Sequence, residues 1–436
     1  MRRVRVFLSN LGCKLNQAEL ESLAREFLAA GHDLAPALEA ADLHVVNTCS
    51  VTHRAARDSR KLARRGGRRN AGLRTVLTGC YVASDPDEAA QLAGVDLVVP
   101  NDRKHELVEE VHRAFPGTVP APARRRALPY MPIEFGNSRA LVKIEDGCDM
   151  RCAFCIIPST RGSQRSRPAD TVVDEVRRLE AGGFREIIVT GVQISSYRDG
   201  DRRLVDLTRR LLRETEGARL RLTSIAPWQF DPRLLGLLSH PRICRHVHLS
   251  LQSGCAATLV RMRRPYSPRQ FAELCDRIRD AAPGAAITTD LIVGFPGETE
   301  TEFEQSLAFV EARRFARVHA FPYSSRPGTE AALFPDPVES PVIRERMRRA
   351  LETAERAARD FRTEQRGRRA EVLWESRRQG RWIGTTDNYL RVALASERSL
   401  EHHLTPVVLG EPLEGDLSRA SFAPTASPAQ PIGATA

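Results

Sequence analysis

The chain has 436 residues, 42% of them hydrophobic and 28% charged, a composition typical of a folded protein of about three domains. No stretch approaches the roughly 18 consecutive apolar residues of a membrane helix, so we expect a cytoplasmic protein with no membrane partner. The net charge is +11, which favours a polyanionic partner. Because only four of the 66 basic residues are lysines, a general preference for arginine accounts for part of this charge, and only local clusters carry weight.

The first 118 residues alternate short aliphatic runs with helical patterns. The predicted strands cover residues 4–11, 43–48, 75–78 and 95–99, and the predicted helices lie near residues 16–30, 54–65, 85–92 and 102–114. This alternation predicts a doubly wound parallel α/β domain over residues 1–118. Residues 119–138 are rich in proline and include three consecutive arginines, so we predict a linker there.

A second series of β/α units follows the linker. Its predicted strands cover residues 140–144, 186–190, 220–225, 246–251, 287–293 and 317–323, each followed by a segment able to form a helix. Six units predict a partial (β/α)6 barrel over residues 139–366, including a long charged helix at its end.

The last part of the chain changes character. Short predicted strands at residues 370–374, 382–385, 389–393 and 406–409 indicate a small β-barrel over residues 367–423. We predict a disordered tail over residues 424–436, because it is rich in proline, alanine, serine and threonine. The fold class is therefore α/β with a small C-terminal β-barrel.

Three of the nine cysteines lie in one loop directly after the first predicted barrel strand. They form the CxxxCxxC pattern of Cys148, Cys152 and Cys155. A structural zinc site needs four ligands, and no nearby cysteine or histidine completes the set. A 4Fe–4S cluster held by three cysteines instead leaves one iron free for a small molecule. A surface zinc loop is the simpler alternative.

A second set of three cysteines is dispersed in sequence. Cys13, Cys49 and Cys80 follow the first, second and third predicted strands of the N-terminal domain. Because the C-terminal ends of parallel strands meet at one sheet edge, we expect these three side chains to converge. The other three cysteines, Cys244, Cys255 and Cys275, have no such spacing and are expected to pack in the core.

The CxxxCxxC loop at a barrel mouth, with Phe154 before its third cysteine, resembles the radical S-adenosylmethionine (radical SAM) superfamily. Together, the two cysteine sets and the C-terminal β-module resemble the methylthiotransferases over about residues 3–415. The stretch Gly12-Cys13-Lys14-Leu15-Asn16-Gln17 is most similar to the MtaB-type subgroup, which modifies tRNA. Matching stretches also occur at residues 144–148, 156–158, 161–162, 165–167, 251–254, 261–264 and 290–298.

The resemblance implies a reaction and its cofactors. The substrate would be the anticodon stem-loop of a tRNA carrying N6-threonylcarbamoyladenosine, which receives a methylthio group on C2 of the adenine. A 4Fe–4S cluster on Cys148, Cys152 and Cys155 would bind S-adenosylmethionine and reduce it to a 5′-deoxyadenosyl radical. A second 4Fe–4S cluster, on Cys13, Cys49 and Cys80, would hold the sulfur that is inserted. An electron donor and a sulfur donor are implied as further partners.

Further cofactor contacts are expected at the ends of barrel strands. Gly191 and Gln252 follow the second and fourth predicted strands, and Gly294 follows the fifth. Together with Phe154 near the cluster loop, they are our candidates for contacts to S-adenosylmethionine. For the glycines, a tight β-to-α turn is an equally good explanation.

The densest basic segment lies in the helix predicted after Cys49. Arg57, Lys61 and Arg64 fall at helical spacing and would form one cationic stripe able to follow RNA phosphates. A solvated helix face is the alternative. The C-terminal module resembles a TRAM domain, an RNA-binding barrel, most clearly over residues 382–389. The match weakens at residues 401–403, where two histidines stand in place of the expected glycine.

Three classes of function compete. The first is the tRNA methylthiotransferase acting on threonylcarbamoyladenosine. The second class carries out the same chemistry on N6-isopentenyladenosine in tRNA or on an aspartate of a ribosomal protein. Enzymes of the first two classes share both clusters, so the sequence alone separates them poorly. The third is a non-enzymatic, zinc-stabilised RNA-binding protein, which would purify without the brown colour of iron–sulfur clusters.

Overall fold

The computed structural model describes residues 3–69, 72–116 and 138–424. Nearly all of the predicted linker and of the predicted tail lies outside these residues. The strands are Arg5–Asn10 (β1), Asp33–Leu34 (β2), Leu43–Thr48 (β3), Arg74–Gly79 (β4), Leu97–Val98 (β5), Ala140–Lys143 (β6), Glu145–Asp146 (β7), Arg165–Ser166 (β8), Glu186–Thr190 (β9), Arg198–Asp199 (β10), Arg202–Arg203 (β11), Arg219–Leu222 (β12), His246–Gln252 (β13), Ala286–Val293 (β14), Arg317–Pro322 (β15), Arg369–Arg378 (β16), Arg381–Thr386 (β17), Arg391–Ala395 (β18), Leu404–Pro412 (β19) and Leu417–Phe422 (β20).

The α-helices of the described residues are interspersed with the first fifteen strands and end before β16. They are Lys14–Ala29 (α1), His53–Arg69 (α2), Cys80–Ser84 (α3), Pro86–Ala90 (α4), Leu107–Ala114 (α5), Ile157–Arg161 (α6), Ala169–Ala181 (α7), Leu204–Glu214 (α8), Ala256–Arg261 (α9), Pro268–Ala281 (α10), Glu300–Arg313 (α11) and Ser340–Glu364 (α12). Glu339 precedes α12, and Pro341 stands in its first turn, where a missing N–H costs no hydrogen bond.

The N-terminal domain is a five-stranded parallel sheet in the order β2-β1-β3-β4-β5. The predicted parallel α/β class is confirmed, and the short strand β2 is added to the four predicted strands. Its central strands are aliphatic and buried on both faces, which is typical of parallel sheets covered by helices. Because β1, β3 and β4 are neighbours in the sheet, the segments that follow them emerge side by side.

The central domain is an open arc of six parallel strands. Strands β6, β9 and β12 form one sheet and β13, β14 and β15 another, and the bridges Leu220–Ile243 and Ile225–Leu249 join them. The expectation of a helix after each strand is wrong for the third unit. Two short 3-10 turns, Pro227–Gln229 and Pro232–Leu237, follow β12 there. A helix begun at Pro227 would place Pro232 in its interior, where the missing N–H loses a hydrogen bond.

The N-terminal domain covers the open side of this arc. Helix α1 packs against its first edge, where Ala18 contacts Leu141 and Ile188. At the other edge, the backbone N–H of His53 donates to Ser324 Oγ, just after β15, at 3.1 Å. The space enclosed by the arc therefore lies directly against the N-terminal domain.

The C-terminal domain is a closed barrel in the order β16-β17-β18-β20-β19. The sequence predicts four of these strands, and the fifth, β20, closes the barrel by pairing with β18 and β19. Arg219 and Arg221 of β12 share the buried carboxylate of Glu186 and donate to the carbonyls of Thr385 and Thr386, each at 2.9 Å. The small barrel thus closes the N-terminal end of the arc.

Candidate active site between the N-terminal domain and the barrel

The loop that carries Cys148, Cys152 and Cys155 follows β7 at the C-terminal end of the arc. Its backbone is held by three hydrogen bonds, from the N–H of Cys148 to Gly162, of Ala153 to Met262 and of Cys155 to Cys152. Arg264 Nη1 lies 3.3 Å from Cys152 Sγ, and the same guanidinium stacks on Trp228 with 4.4 Å to the ring centre. A fixed cation therefore stands beside a thiol that would carry negative charge as a metal ligand.

Cys13, Cys49 and Cys80 follow the adjacent strands β1, β3 and β4, so the chain segments that carry them lie side by side. Their role as cluster ligands stays a prediction. Gly12 has φ +101°, and a Cβ on it would lie 2.7 Å from Cys49 Sγ. Only glycine suits this position, both for its left-handed backbone and for the close approach. Ser59 Oγ holds Cys49, accepting from its N–H at 3.0 Å and donating to its carbonyl at 2.9 Å.

Each cysteine set offers three thiols, the kind of ligand that a 4Fe–4S cluster takes. Among the described residues, no three histidine, cysteine, aspartate or glutamate side chains close around one metal ion. A 4Fe–4S cluster needs a wider arrangement, because each cysteine binds a different iron. Burial raises the pKa of Cys155 to about 12 and that of Cys49 to about 11, so these thiols stay protonated until a metal replaces the proton.

A buried ionic cluster joins the two domains between the cysteine sets. Arg161 Nη1 lies 2.9 Å from both Glu19 Oε1 and Asp146 Oδ1, and its Nη2 donates to Asn16 Oδ1 at 2.5 Å. Lys104 Nζ lies 2.6 Å from Glu19 Oε2. These cations hold the pKa of Glu19 well below its ordinary value despite complete burial. None of these residues was among the sequence-predicted site residues.

The inner face of the β13-β14-β15 sheet is polar, which the sequence analysis missed. His248 Nε2 lies 3.2 Å from Asp290 Oδ2, and His246 hydrogen-bonds to Thr288 Oγ1 at 2.9 Å. The residues that alternate with them belong to the apolar core: they are Val247, Leu249, Leu251, Ile287 and Leu291. Aliphatic layers fill the interior of a closed β/α barrel, so a polar lining indicates a chamber for a ligand. The alternation His-Val-His-Leu in β13 is the sequence signal for this polar face.

The four residues predicted to contact S-adenosylmethionine lie at strand ends or near the cluster loop, and that role stays a prediction. Gly191 approaches Glu145 so closely that a Cβ would lie 2.5 Å from its Oε2. Gln252 has φ +67°, a left-handed backbone that is unusual for a side chain of this kind. Gly294 donates its N–H to Glu298 at 2.7 Å, and Phe154 packs edge-on against Phe295 with 6.4 Å between ring centres.

A cavity of about 690 Å³ opens beside Cys148, at the C-terminal end of the arc. Gln193 and Gln229 line it and hydrogen-bond to each other at 2.6 Å. Its size lies within the range of cofactor and ligand pockets.

The predicted RNA-binding residues Arg57, Lys61 and Arg64 are all exposed on α2. Arg57 approaches Asp58 at 3.9 Å, whereas Lys61 and Arg64 have no ion-pair partner within the described parts of the chain. Helix α2 begins four residues after Cys49. The stripe therefore leads away from the second cysteine set, and its role in RNA binding stays a prediction.

An open six-stranded β/α barrel with a CxxxCxxC loop after its first strands defines a radical SAM enzyme. The sequence matches the radical SAM superfamily over residues 142–310 and the uncharacterized protein family UPF0004 over residues 5–100. It is 33% identical over 403 residues to the threonylcarbamoyladenosine tRNA methylthiotransferase MtaB of Bacillus subtilis, with 89% of each chain covered. It is 32% identical over 421 residues to a tRNA-2-methylthio-N(6)-dimethylallyladenosine synthase of Methylacidiphilum infernorum, with 90% of each covered. The chain belongs to the radical SAM tRNA methylthiotransferase family.

Among solved structures, the chain is similar to the radical SAM methyltransferase TsrM of Kitasatospora setae. The TM-score is 0.58 at 16% sequence identity, over 76% of this chain and 77% of the other, which shows a shared fold. In the described part of the chain, no helix is long and apolar enough to span a membrane. Membership of the radical SAM tRNA methylthiotransferase family makes the protein an enzyme that transfers a sulfur-containing group and acts on tRNA, with a 4Fe–4S cluster and S-adenosylmethionine as cofactors.

Proposed function

We propose that this enzyme adds a methylthio group to C2 of N6-threonylcarbamoyladenosine next to the anticodon of tRNA. The observation that carries the proposal is the bond between Arg161 and Asn16. Arg161 lies six residues after Cys155, and Asn16 lies three residues after Cys13. One hydrogen bond thus links the segments that carry the two cysteine sets, as a reaction with two neighbouring cofactors requires.

In this proposal each cysteine set holds one 4Fe–4S cluster. Cys148, Cys152 and Cys155 would hold the cluster that cleaves S-adenosylmethionine, and Cys13, Cys49 and Cys80 would hold the second. When bound, the two clusters supply the electron for that cleavage and the sulfur for transfer. A reductant and a sulfur donor are needed as partners to restore the enzyme after each turnover. A tRNA substrate implies that the enzyme works in the cytoplasm.

The residues around these cysteines would position the cofactors and keep water out. Arg264 stands beside Cys152 and balances thiolate charge at the first set. Asn16 fixes the loops of the second set, because its Nδ2 donates to Leu11 O at 2.8 Å and to Thr48 O at 2.9 Å. Gln193 and Gln229 would line the space for S-adenosylmethionine beside Cys148. Preorganised dipoles of this kind need no rearrangement during the reaction.

Nucleoside mass spectrometry of tRNA tests the substrate. A strain without the gene should lose 2-methylthio-N6-threonylcarbamoyladenosine and accumulate its unthiolated precursor, and the restored gene should reverse both changes. Loss of the methylthiolated isopentenyl nucleoside instead, or of the modified ribosomal aspartate, would contradict the substrate and leave the chemistry unchanged.

Iron content tests the two clusters. Replacing Cys148, Cys152 and Cys155 with alanine should halve the iron of anaerobically purified protein and abolish cleavage of S-adenosylmethionine. Replacing Cys13, Cys49 and Cys80 should also halve the iron but leave that cleavage in place. Cys275→Ala, a buried core cysteine outside both sets, is the matched control and should change neither. Unchanged iron in either triple variant would refute the corresponding cluster.

A further inference from the structure

The chamber enclosed by the arc has an unbalanced positive charge at its closed end. Lys14, the first residue of α1, is half-buried there, and its Nζ lies 5.4 Å from the centre of the Tyr389 ring. Tyr389 belongs to the C-terminal barrel and stacks on His246 with 4.3 Å between ring centres. Lys14 is also the residue directly after Cys13, so the cation lies next to the second cysteine set.

Arg317 is the second cation of this region. It is the first residue of β15, and its register partner on β14 is Thr288, whose hydroxyl contacts His246 and His248. Neighbouring residues in register on parallel strands point to the same face, so Arg317 lies on the polar inner face of the arc. Further along β15 on that face are His319 and Phe321.

Lys14 and Arg317 differ from the other cations where the three domains meet, because neither has a counter-ion among the described residues. Within residues 3–69, 72–116 and 138–424, neither lies within 4.0 Å of a carboxylate. The other cations share acidic partners: Arg219 and Arg221 pair with Glu186, Arg139 with Glu375, and Lys104, Lys143 and Arg161 with Glu19. The positive charge also acts on Tyr389. Its hydroxyl is buried, yet its pKa is lowered by the charges of Lys14, Arg139, Arg221 and Arg317.

The inner face of β15 also offers a surface on which a flat ring can stack. Phe321 is 44% exposed although it is a large apolar residue, and its ring is nearly parallel to that of His319, 6.4 Å away. Since Phe321 lies towards the open end and Arg317 towards the closed end of β15, a purine on this surface would direct a long substituent towards the two cations.

We propose that Lys14 and Arg317 form a carboxylate-binding site that selects the threonyl carboxylate of the substrate nucleoside. This inference rests on the proposed function, because a threonylcarbamoyl group ends in a carboxylate whereas an isopentenyl group has no charge. Lys14 is half-buried and Arg317 is exposed, and both lack a counter-ion among the described residues. Such a pair favours a substituent that ends in a carboxylate over an uncharged one, because only the carboxylate forms charge-assisted hydrogen bonds with the two cations. S-adenosylmethionine also has a carboxylate, but its cluster loop lies at the opposite, C-terminal end of the arc.

Binding of matched RNAs to the iron-loaded enzyme tests the site. The probes are anticodon stem-loops with threonylcarbamoyladenosine, with its uncharged methyl ester, and with isopentenyladenosine. Wild-type enzyme should bind the acid about 10- to 100-fold more tightly than the ester, the range expected for a charge-assisted hydrogen bond. Lys14→Met and Arg317→Met should each reduce this ratio by about tenfold, and Lys14→Arg should retain most of it.

Two controls separate the site from folding and from the cofactor. Arg277→Met removes an exposed arginine from α10 and should leave the acid-to-ester ratio unchanged. Affinity for S-adenosylmethionine should be the same in every variant, and a parallel loss would assign the cations to the cofactor and overturn the inference. Equal binding of acid and ester by wild type, or full discrimination by both methionine variants, would also overturn it. The proposed function is judged separately, by which stem-loop the wild-type enzyme methylthiolates.

Discussion

The side chains of Arg161 and Asn16 meet across the domain junction, with 2.5 Å between Nη2 and Oδ1. Arg161 ends the short helix after the CxxxCxxC loop, and Asn16 lies in the first turn of the helix that begins after Cys13. Both are buried, and each is also held within its own domain, Arg161 by Asp146 and Asn16 by the carbonyls of Leu11 and Thr48. The position of one cysteine set relative to the other is therefore determined by side chains that adjoin the sets themselves.

Loss of Arg161 should destabilise the protein strongly. Arg161→Met leaves the buried carboxylates of Glu19 and Asp146 with fewer counter-charges, and removing one partner of a buried ion pair costs about 3 kcal/mol or more. Urea unfolding of the iron-loaded protein under anaerobic conditions measures the effect. Arg356→Met, in an exposed pair with Glu311, is the matched control and should cost less than about 1 kcal/mol. Equal losses in the two variants would contradict the role of the junction.

The parts of the fold that are local in sequence are the parts that sequence analysis predicts. Aliphatic runs identify β1, β3 and β4, and parallel topology then brings Cys13, Cys49 and Cys80 together. The contact between Arg161 and Glu19 spans 142 residues, and no local pattern indicates it. The same holds for the strand β20, whose residues alternate little in polarity and whose pairing with β18 is non-local.

The polar wall of the chamber was missed for a different reason. A strand with alternating polar residues is ordinarily read as having one face in water, and the sequence does not tell whether that face meets solvent or an enclosed chamber. In β13 the residues His246 and His248 face the chamber, and burial with nearby positive charge lowers the pKa of His246 well below its ordinary value. Only the position of the N-terminal domain over the open side of the arc distinguishes the two cases.

Gly12 should be essential for the second cluster. Gly12→Ala places a methyl group 2.7 Å from Cys49 Sγ on a residue with φ +101°, so the loop must move away from the cluster site. Iron content should fall by about half, as in the Cys13, Cys49 and Cys80 variant, while cleavage of S-adenosylmethionine persists. Gly380→Ala is the matched control, because it has φ +76° with nothing within 4 Å of the added carbon. Full iron content in Gly12→Ala would show that the loop tolerates a side chain.

Glu145 should make stability depend on pH near neutrality. Its side chain is buried, and its Oε2 accepts the N–H of Gln193 at 2.9 Å. Burial raises the pKa of this carboxyl group from 4.5 to about 7. Between these two values the folded protein holds a proton that the unfolded chain has released, so stability falls as the pH rises through this window. The loss is about 3 kcal/mol by the difference in pKa.

Glu145→Gln isolates this effect, because it keeps the size of the side chain and removes its titration. As the pH rises from about 4.5 to about 7, the free energy of unfolding of the wild type should fall relative to that of the variant. Urea titrations at several pH values measure it. A difference that is independent of pH would show that Glu145 titrates normally in the folded protein.

The stripe of Arg57, Lys61 and Arg64 on α2 should contribute to affinity for tRNA and not to the cleavage of S-adenosylmethionine. All three side chains are exposed on a helix that begins after the second cysteine set, so they can reach phosphates without entering the cluster site. Each phosphate contact contributes about 0.7–0.9 to the slope of log affinity against log salt concentration. Changing the three residues to glutamine should therefore weaken tRNA binding and flatten its salt dependence.

Titrations at two salt concentrations distinguish this role from that of a solvated helix face, which predicts no change in affinity. The matched control changes three exposed arginines of α12, Arg344, Arg356 and Arg359, to glutamine. Both triple variants lose the same net charge, so a general electrostatic effect would weaken binding equally in the two. Phosphate contacts position the nucleic acid and take no part in the chemistry, so cleavage of S-adenosylmethionine without tRNA should stay intact in both variants. If tRNA affinity falls only in the α2 variant, the phosphate contacts belong to that helix.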